Sequence, residues 1–271
     1  MALSLPSRTA LILVTGLLLF AGLAPVGATM IAWPAAPGWT AGAPTPGQTR
    51  TQSFTAVNPN DITVSINNNG ASGTGATWNA GYPAINSTLL NGGMPGTNGL
   101  QLYLTSQSST SSYIELTISF AYAVSNVSFQ LWDIDAGSPY ADTISQIQGV
   151  AFFGGGIVAA DSVTSAVSGY NTITGSGLST VVTGTATADN NTNEGTIDVS
   201  FLGPITEFSF RWSNSDSSLG SQGVGLGPLT FAIVPEPSAL WPLVVLAALV
   251  ISGDLLRRKH RAAGRPAVVR S

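Results

Sequence analysis

The chain has 271 residues, of which 44% are hydrophobic and only 8% charged, with no cysteine and one histidine. Without cysteine there is no disulfide framework and no thiol chemistry. With the histidine at position 260 the rest of the chain has no imidazole for Ser-His-Asp catalysis, His-ligated zinc or histidine general acid-base work. The net charge of -4 hides a span from Thr29 to Ile233 near -9, where only Arg50 and Arg211 face the carboxylates, a balance that repels nucleic acid and anionic lipid.

In chain order, Arg8 precedes an apolar run from Ala10 to Ala24, and Val26-Gly27-Ala28 supplies small residues before a cleavage point. That pattern predicts a signal peptide over 1–28, cut after Ala28 by signal peptidase. Residues 29–50, with Pro34, Pro37, Pro44 and Pro46, read as an extended arm or edge strand rather than core. From 51 to 233 the chain is dense in Ser, Thr, Gly, Asn, Val and Ile and alternates apolar with polar residues, the period of half-buried strands.

Ile62, Val64 and Ile66 make the first clear strand, before Asn67-Asn68-Asn69-Gly70 as a turn signal, and Leu100, Leu102 and Leu104 the next. Ile114 to Phe120 and Val127 to Trp132 alternate in turn and predict two sequential antiparallel strands. Further strands are expected over 149–153, 157–160, 170–174, 179–187, 195–201, 208–212 and 229–233. The whole predicts an all-β fold, an antiparallel β-sandwich of jelly-roll type, and no repeat suggests a solenoid or propeller. Trp212 is in phase with its strand's apolar set and is expected in the core. Trp132 is out of phase and is expected on the opposite face.

Acidic residues carry the candidate chemistry. Asp133 and Asp135 lie two apart at a strand end, so both leave one face of the sheet and repel unless a cation or hydrogen-bond donors intervene. Calcium, with its six to eight oxygen ligands, suits that pair with Asp142 as a third ligand. The rival reading is a strand-ending turn whose carboxylates cap backbone N–H groups. Asp189 to Glu194 mimics the first half of an EF-hand loop but has Glu194 where that loop needs Gly and Ser200 where it needs Glu. Asp133 or Asp135 paired with Glu115, Glu194 or Glu207 would make a carboxylate-dependent glycoside hydrolase, with nothing in the spacing to fix their separation. Trp39, Trp78, Tyr82 and Tyr140 lie in loop-like contexts, where exposed rings stack on sugars and buried ones simply pack.

At the C-terminal end Val234-Pro235-Glu236-Pro237-Ser238 leads into an apolar run from Ala239 to Leu256 and then Arg257, Arg258, Lys259, His260 and Arg261. A helix of that length spans about 27 Å, close to a bilayer's hydrocarbon thickness, and the positive-inside rule keeps the basic end, 257–271, in the cytoplasm. This three-part order resembles the C-terminal sorting signal of the PEP-CTERM family of exported bacterial proteins. The resemblance implies recognition at Pro235, Glu236 and Pro237 by an exosortase, and an association with extracellular polysaccharide. The tail after Arg258 is longer than the family pattern. Val127 to Asp135, Asp142-Thr143-Ile144, Phe208 to Trp212 and Gly223 to Phe231 together resemble sandwich domains found in PEP-CTERM and other surface proteins. The expectation is a non-enzymatic structural or adhesive protein of the cell envelope or matrix, anchored in the inner membrane until processed. Its rivals are a carbohydrate-binding module and, behind it, the glycosidase.

Overall fold

The computed structural model describes residues 26–34, 38–70, 77–106, 112–138, 140–215 and 221–235. Seventeen strands run through them: β1 (Val26–Ile31), β2 (Thr49–Phe54), β3 (Ile62–Asn69), β4 (Thr77–Trp78), β5 (Ala84–Asn86), β6 (Gly99–Ser106), β7 (Tyr113–Trp132), β8 (Ala136–Gly137) and β9 (Tyr140–Ala151) come first. After them come β10 (Ile157–Ala159), β11 (Ser162–Ser165), β12 (Asn171–Thr174), β13 (Val181–Gly184), β14 (Ile197–Phe201), β15 (Ile205–Asn214), β16 (Gln222–Leu226) and β17 (Leu229–Ile233). Every pairing is antiparallel, and among the described residues the only helical element is a 3-10 turn at Gly177–Ser179. Of the expected signal peptide over 1–28 only residues 26–28 are described, and the expected sorting motif beyond Pro235, the apolar run and the basic tail lie outside the described residues. Among those described, no helix is long and apolar enough to cross a membrane.

The expectation of two strands across 114–132 is corrected: they are one 20-residue strand, β7. Its burial alternates on even numbers from Ile114 to Phe120 and on odd numbers from Val127 to Leu131, with both Ala123 and Val124 buried at the change. Because strand side chains alternate strictly, a change of phase means that the strand has turned its other face to the core. Asn126, at φ 51, and a register shift in β15 between Ile205 and Glu207 mark the corner. Strands bend in this way where one strand serves two sheets.

The first half of β7 pairs with β3 on one side and β15 on the other, and the run continues outward to β2 and to β9, β13 and β12. The second half pairs with β14, which leads to β11, and with the β16 and β17 edge, which leads to β6 and β1. Apolar faces of both runs meet in a common core, and its rings record the contact. Phe208 of β15 stacks on Phe129 at 4.5 Å between centroids and lies 6.1 Å from Phe201, while Phe120 meets Phe231 edge-on at 5.2 Å. This all-β arrangement is consistent with a β-sandwich.

Residues 29–50 contribute more than an arm. β1 is paired along β17, as an edge strand should be, but Ile31 and Trp33 are core residues, contrary to the expectation. The Trp33 indole donates to the Gly227 carbonyl at 2.8 Å and its ring meets Phe54 at 5.5 Å. Asn67 to Asn69 do not turn but extend β3, since Asn68 pairs along β7 and its amide donates to the Pro44 carbonyl at 3.0 Å. The real turn before β3 is held by Asp61. Its carboxylate accepts the N–H groups of Ala56, Val57 and Asn58 at 2.7, 2.8 and 2.8 Å and the Tyr122 hydroxyl at 2.7 Å. Burial pushes the Asp61 carboxyl up, but these four donors outweigh it and hold it below the usual carboxylate range.

Phe208 is expected to be the most sensitive single position of this core, because it touches rings from both runs of strands. Phe208→Ala should cost about 3–5 kcal/mol. In a domain of this size that lowers the thermal midpoint by about 2–4 °C per kcal/mol, read by scanning calorimetry. Asp61→Ala should cost about 1–3 kcal/mol through the orphaned N–H groups, and the loss should shrink at acid pH, because a carboxylate held low by its donors gives up its contribution as it protonates.

Candidate functional site

The structure brings together the three aspartates singled out in the sequence. Asp133 ends β7 with φ 64, Asp135 follows in the next turn, and Asp142 enters β9. The Asp142 N–H donates to the Asp135 carbonyl at 2.8 Å. They are 8%, 2% and 0% exposed, which sets them apart from solvated turn carboxylates. Asp142 accepts the Trp212 indole N–H at 2.7 Å on one oxygen and the Asp135 N–H at 3.4 Å on the other. Asp135 accepts the Ala188 N–H at 2.9 Å and the Tyr140 hydroxyl at 3.4 Å. The Oδ1 of Asp133 is buried without a partner. Gly184 of β13 packs so closely that a Cβ there would stand 1.9 Å from the Asp135 carbonyl oxygen, which explains the glycine.

Among the described residues no side-chain cation is paired with these groups. Arg211 lies 3.5 Å from Glu115 and over the Tyr113 ring at 4.1 Å, and Arg50 reaches Gln48 at 3.5 Å. Buried carboxylates without a counter-charge are costly, so they hold protons. Burial, and then the charge of Asp135, push Asp133 up to about 8. Burial also raises Asp135, against the pull of its donors. Asp142 stands well above the usual range, through burial and through the charges of Asp135 and Asp133, with the Trp212 N–H pulling the other way. Burial and the neighbouring carboxylates raise the Tyr140 hydroxyl too. Among the described residues no three acidic or imidazole side chains are set to enclose a metal ion. Asp142 accepts on both oxygens, Asp135 takes both of its donors on Oδ2, and the buried Asp133 Oδ1 has no partner.

Of the other carboxylates, Glu115 and Glu207 belong to the pairing along the first half of β7, whereas Glu194 adjoins the aspartate turn, the Ile134 N–H donating to the Gly195 carbonyl at 2.8 Å. Glu115 stands near the start of β7, at the opposite end of that strand from Asp133, in its contact with Arg211. Glu207 accepts the Ser119 hydroxyl at 2.8 Å, and Glu194 is held low by the Tyr170 hydroxyl and the Asp189 N–H. The 189–194 loop closes on itself, Thr192 bridging the Asp189 carbonyl and Glu194, and docks on the 88–98 loop through Asn91 and Asn191 at 2.9 Å. Trp39 and Trp78 are half-buried, their indoles donating to the Gly42 and Pro44 carbonyls, and Tyr82 packs on Tyr103 at 5.5 Å. Ala28 lies within β1 and Pro235 just after β17. Glu236, Pro237, Arg257, Arg258, Lys259 and Arg261 lie outside the described residues.

Sequence reasoning missed a groove of 390 Å³ on the outer face of the second half of β7. Strand register aligns its floor. Met30 stands opposite Thr230, Thr230 opposite Ser128, Ser128 opposite Ser200, and Ser200 opposite Ser162, a row of four hydroxyls crossing β17, β7, β14 and β11 behind one methionine. In the adjacent row Gln130 faces Asp198. The Gln130 amide is fixed at both ends: its carbonyl accepts the Trp132 indole N–H at 3.2 Å and its NH2 donates to Asp198 Oδ1 at 2.8 Å. Met94 and Pro228 complete the rim.

Trp132 is on the face opposite the core, as its phase predicts, yet it is fully buried. The 88–98 loop and the β16 edge cover it, and Gly92, Gly99, Gly225 and Gly227 leave the space. A Cβ on any of them would come within 2.2–2.8 Å of the indole. The only signal for the groove was the even-numbered polar set Ser128, Gln130 and Trp132, which gains meaning only once the neighbouring strands are known.

No family model matches the chain, and no curated protein matches it. Among solved structures the chain is similar to a family 11 carbohydrate-binding module from Clostridium thermocellum, in complex with a β-1,3-1,4-mixed-linked tetrasaccharide. The identity is 13%, covering 79% of this chain and 99% of that one, with a TM-score of 0.32.

Carboxyls raised by burial stabilise the fold below their ordinary range and withdraw that support as pH climbs through their folded-state values. Held by protons, the aspartate cluster is expected to give a higher melting midpoint at pH 5 than at pH 8.5. Asp133→Asn should flatten the part of that slope that ends near pH 8. A cluster filled by calcium gives the reverse: at millimolar calcium the midpoint would hold as pH rises, and EGTA would lower it.

Proposed function

We propose that the chain is an exported β-sandwich of jelly-roll type, tethered at the cell envelope through its C-terminal segment, that binds neutral polysaccharide of the extracellular matrix and does not cleave it. The observation that carries this reading is the groove on β17, β7, β14 and β11. A row of hydroxyls at the strand spacing of about 4.8 Å is backed by a locked Gln130–Asp198 pair. Such a row offers donors and acceptors at intervals comparable with the sugar repeat of an extended glycan. The fixed amide spares the ligand the cost of ordering it. Met30, Met94 and Pro228 supply apolar surface for the C–H faces of sugar rings. A strongly acidic domain without lysine disfavours polyanions, which leaves neutral sugars as the matching polymer class.

Export and tethering rest on the sequence: the signal peptide with its cut after Ala28, and the resemblance of Pro235-Glu236-Pro237, the apolar run and the arginines to an exosortase address. Structural and adhesive roles follow from the same reading, since a tethered module that holds matrix polysaccharide joins the two. Calcium at Asp133, Asp135 and Asp142 is a proposal of the sequence, and the EGTA measurement above decides it.

The binding test is affinity electrophoresis of the full chain in mild detergent against a panel of neutral polysaccharides. At least one should retard it, and Asp198→Ala or Gln130→Ala should weaken that retardation about tenfold, the equivalent of roughly 1.4 kcal/mol. Retardation that survives both substitutions would remove the groove from the reading. For sorting, Glu236→Ala in a host that carries an exosortase should leave the chain uncut in the membrane fraction, while the parent chain is shortened and released. Identical fractionation of the two would refute the exosortase address.

A further inference from the structure

Of the six exposed large apolar side chains among the described residues, Val57, Phe153 and Leu202 lie on loops around the corner of β7. Phe153 is 60% exposed, Leu202 61% and Val57 51%, and such residues carry information when they share one patch. Their loops are tied to that corner by backbone bonds. The Asn126 N–H donates to the Leu202 carbonyl at 3.3 Å, the Phe152 N–H to the Pro204 carbonyl at 2.9 Å, and the Ala121 N–H to the carbonyl of Asp61, whose carboxylate holds Val57. Ile205 of β15 lies opposite both Val124 and Ala151, which sets the 152–156 turn beside the 202–204 loop. A shallow 240 Å³ hollow between Phe153, Val158, Gly203 and Pro204 gives the patch depth.

The chain leaves the domain at the same corner. Ile233, at the end of β17, pairs with Val124, and the Val234 N–H donates to the Ala123 carbonyl at 2.9 Å. From Val234 to Ala239, where the apolar run of the sequence opens, there are five residues, which reach at most about 16–18 Å fully extended. A tether of that reach keeps the chain exit within about 18 Å of the start of the apolar run, and the face around the exit carries exposed Phe, Leu and Val.

We infer that this pole is a membrane-resting surface: Phe153 and Leu202, with Val57 beside them, insert into the lipid headgroup region and seat the domain on the outer face of the membrane while the tether is intact. The inference rests on the tethered reading of the C-terminal segment. The occupant is lipid rather than protein because the tether's length delivers the patch there. Insertion is by apolar contact and not by charge, since the domain's two arginines, Arg50 and Arg211, are engaged with Gln48 and with Glu115. Seating therefore needs no anionic lipid and resists salt. It also holds Pro235 and the motif after it close to the bilayer, where a membrane-embedded processing enzyme works.

The absence of cysteine makes the test clean. Full chains carrying Phe153→Cys, Leu202→Cys or, as a control, Thr105→Cys on β6 past the far end of β7, are labelled with an environment-sensitive fluorophore. They are then reconstituted into vesicles of zwitterionic phosphatidylcholine and phosphatidylethanolamine and floated on a density gradient. The expected result is flotation of all three. Positions 153 and 202 should show blue-shifted emission that a lipid-borne quencher removes and half-molar salt leaves alone, with position 105 at its aqueous value. Chains that fail to float overturn the tether and the seating with it. Flotation with 153 and 202 as water-exposed as 105 overturns the seating alone. Emission that is shifted but beyond the lipid-borne quencher's reach assigns the patch to a protein neighbour and likewise overturns it.

Discussion

The structure depends on one strand changing faces. β7 gives its even-numbered residues to the core over its first half and its odd-numbered residues over its second, so a single covalent element belongs to both runs of strands. Everything that meets it inherits that geometry. β3 and β15 are set by the first phase, β14 and β17 by the second, and the rings of Phe208, Phe129, Phe120 and Phe231 close the space between them. The corner also separates the two ends of the second half. At one end of the second half lie Trp132, the aspartates and the groove, and at the other lie the chain exit and the exposed apolar residues.

Composition imposes the second constraint. A domain with two arginines and no lysine cannot neutralise buried carboxylates with side-chain cations, and both arginines are engaged elsewhere. Asp133, Asp135 and Asp142 are therefore packed as hydrogen-bond acceptors and proton holders inside the turn that joins β7 to β9, with Trp212 donating from the core. Three segments supply this cluster, the turn with Asp133 and Asp135, the start of β9 with Asp142, and Trp212 of β15, which is distant in the chain and donates to Asp142. That adjacency gives a structural reason for the combination of Asp and Trp that the sequence displays.

The groove and the acidic cluster are close along β7 but differ in kind. The cluster is buried and its polar atoms are largely engaged by one another, by Trp212 and by backbone, which suits a structural knot. The groove is open, its polar groups sit in rows, and its one rigid pair, Gln130 and Asp198, is fixed by Trp132 beneath. Open form and evenly spaced polar groups are the properties on which the proposed binding of a polar polymer rests.

The sequence by itself determined what depends on local pattern and on inventory. The period-2 alternation in β3, β6, β14, β15 and β17 was legible because a half-buried strand must alternate. The excluded chemistries followed from the missing histidine and cysteine, and the core position of Trp212 from its phase. The three aspartates were legible as a set from their spacing after a strand, although Asp133 already lies past the end of β7 at φ 64, where strand alternation no longer assigns a face. Only the tertiary structure decided what depends on partners remote in the chain. That β7 is one strand turning a corner, and not two strands, hinges on a phase slip that reads in one dimension like a loop. The burial of Trp132 comes from a loop and four glycines that cross over it, and Trp33 is core because Gly227 and Phe54 receive it. The hydroxyl row exists only by register, since Thr230, Ser128, Ser200 and Ser162 come from four strands whose order no single segment encodes, and side-chain alternation fixes a face without naming the neighbour.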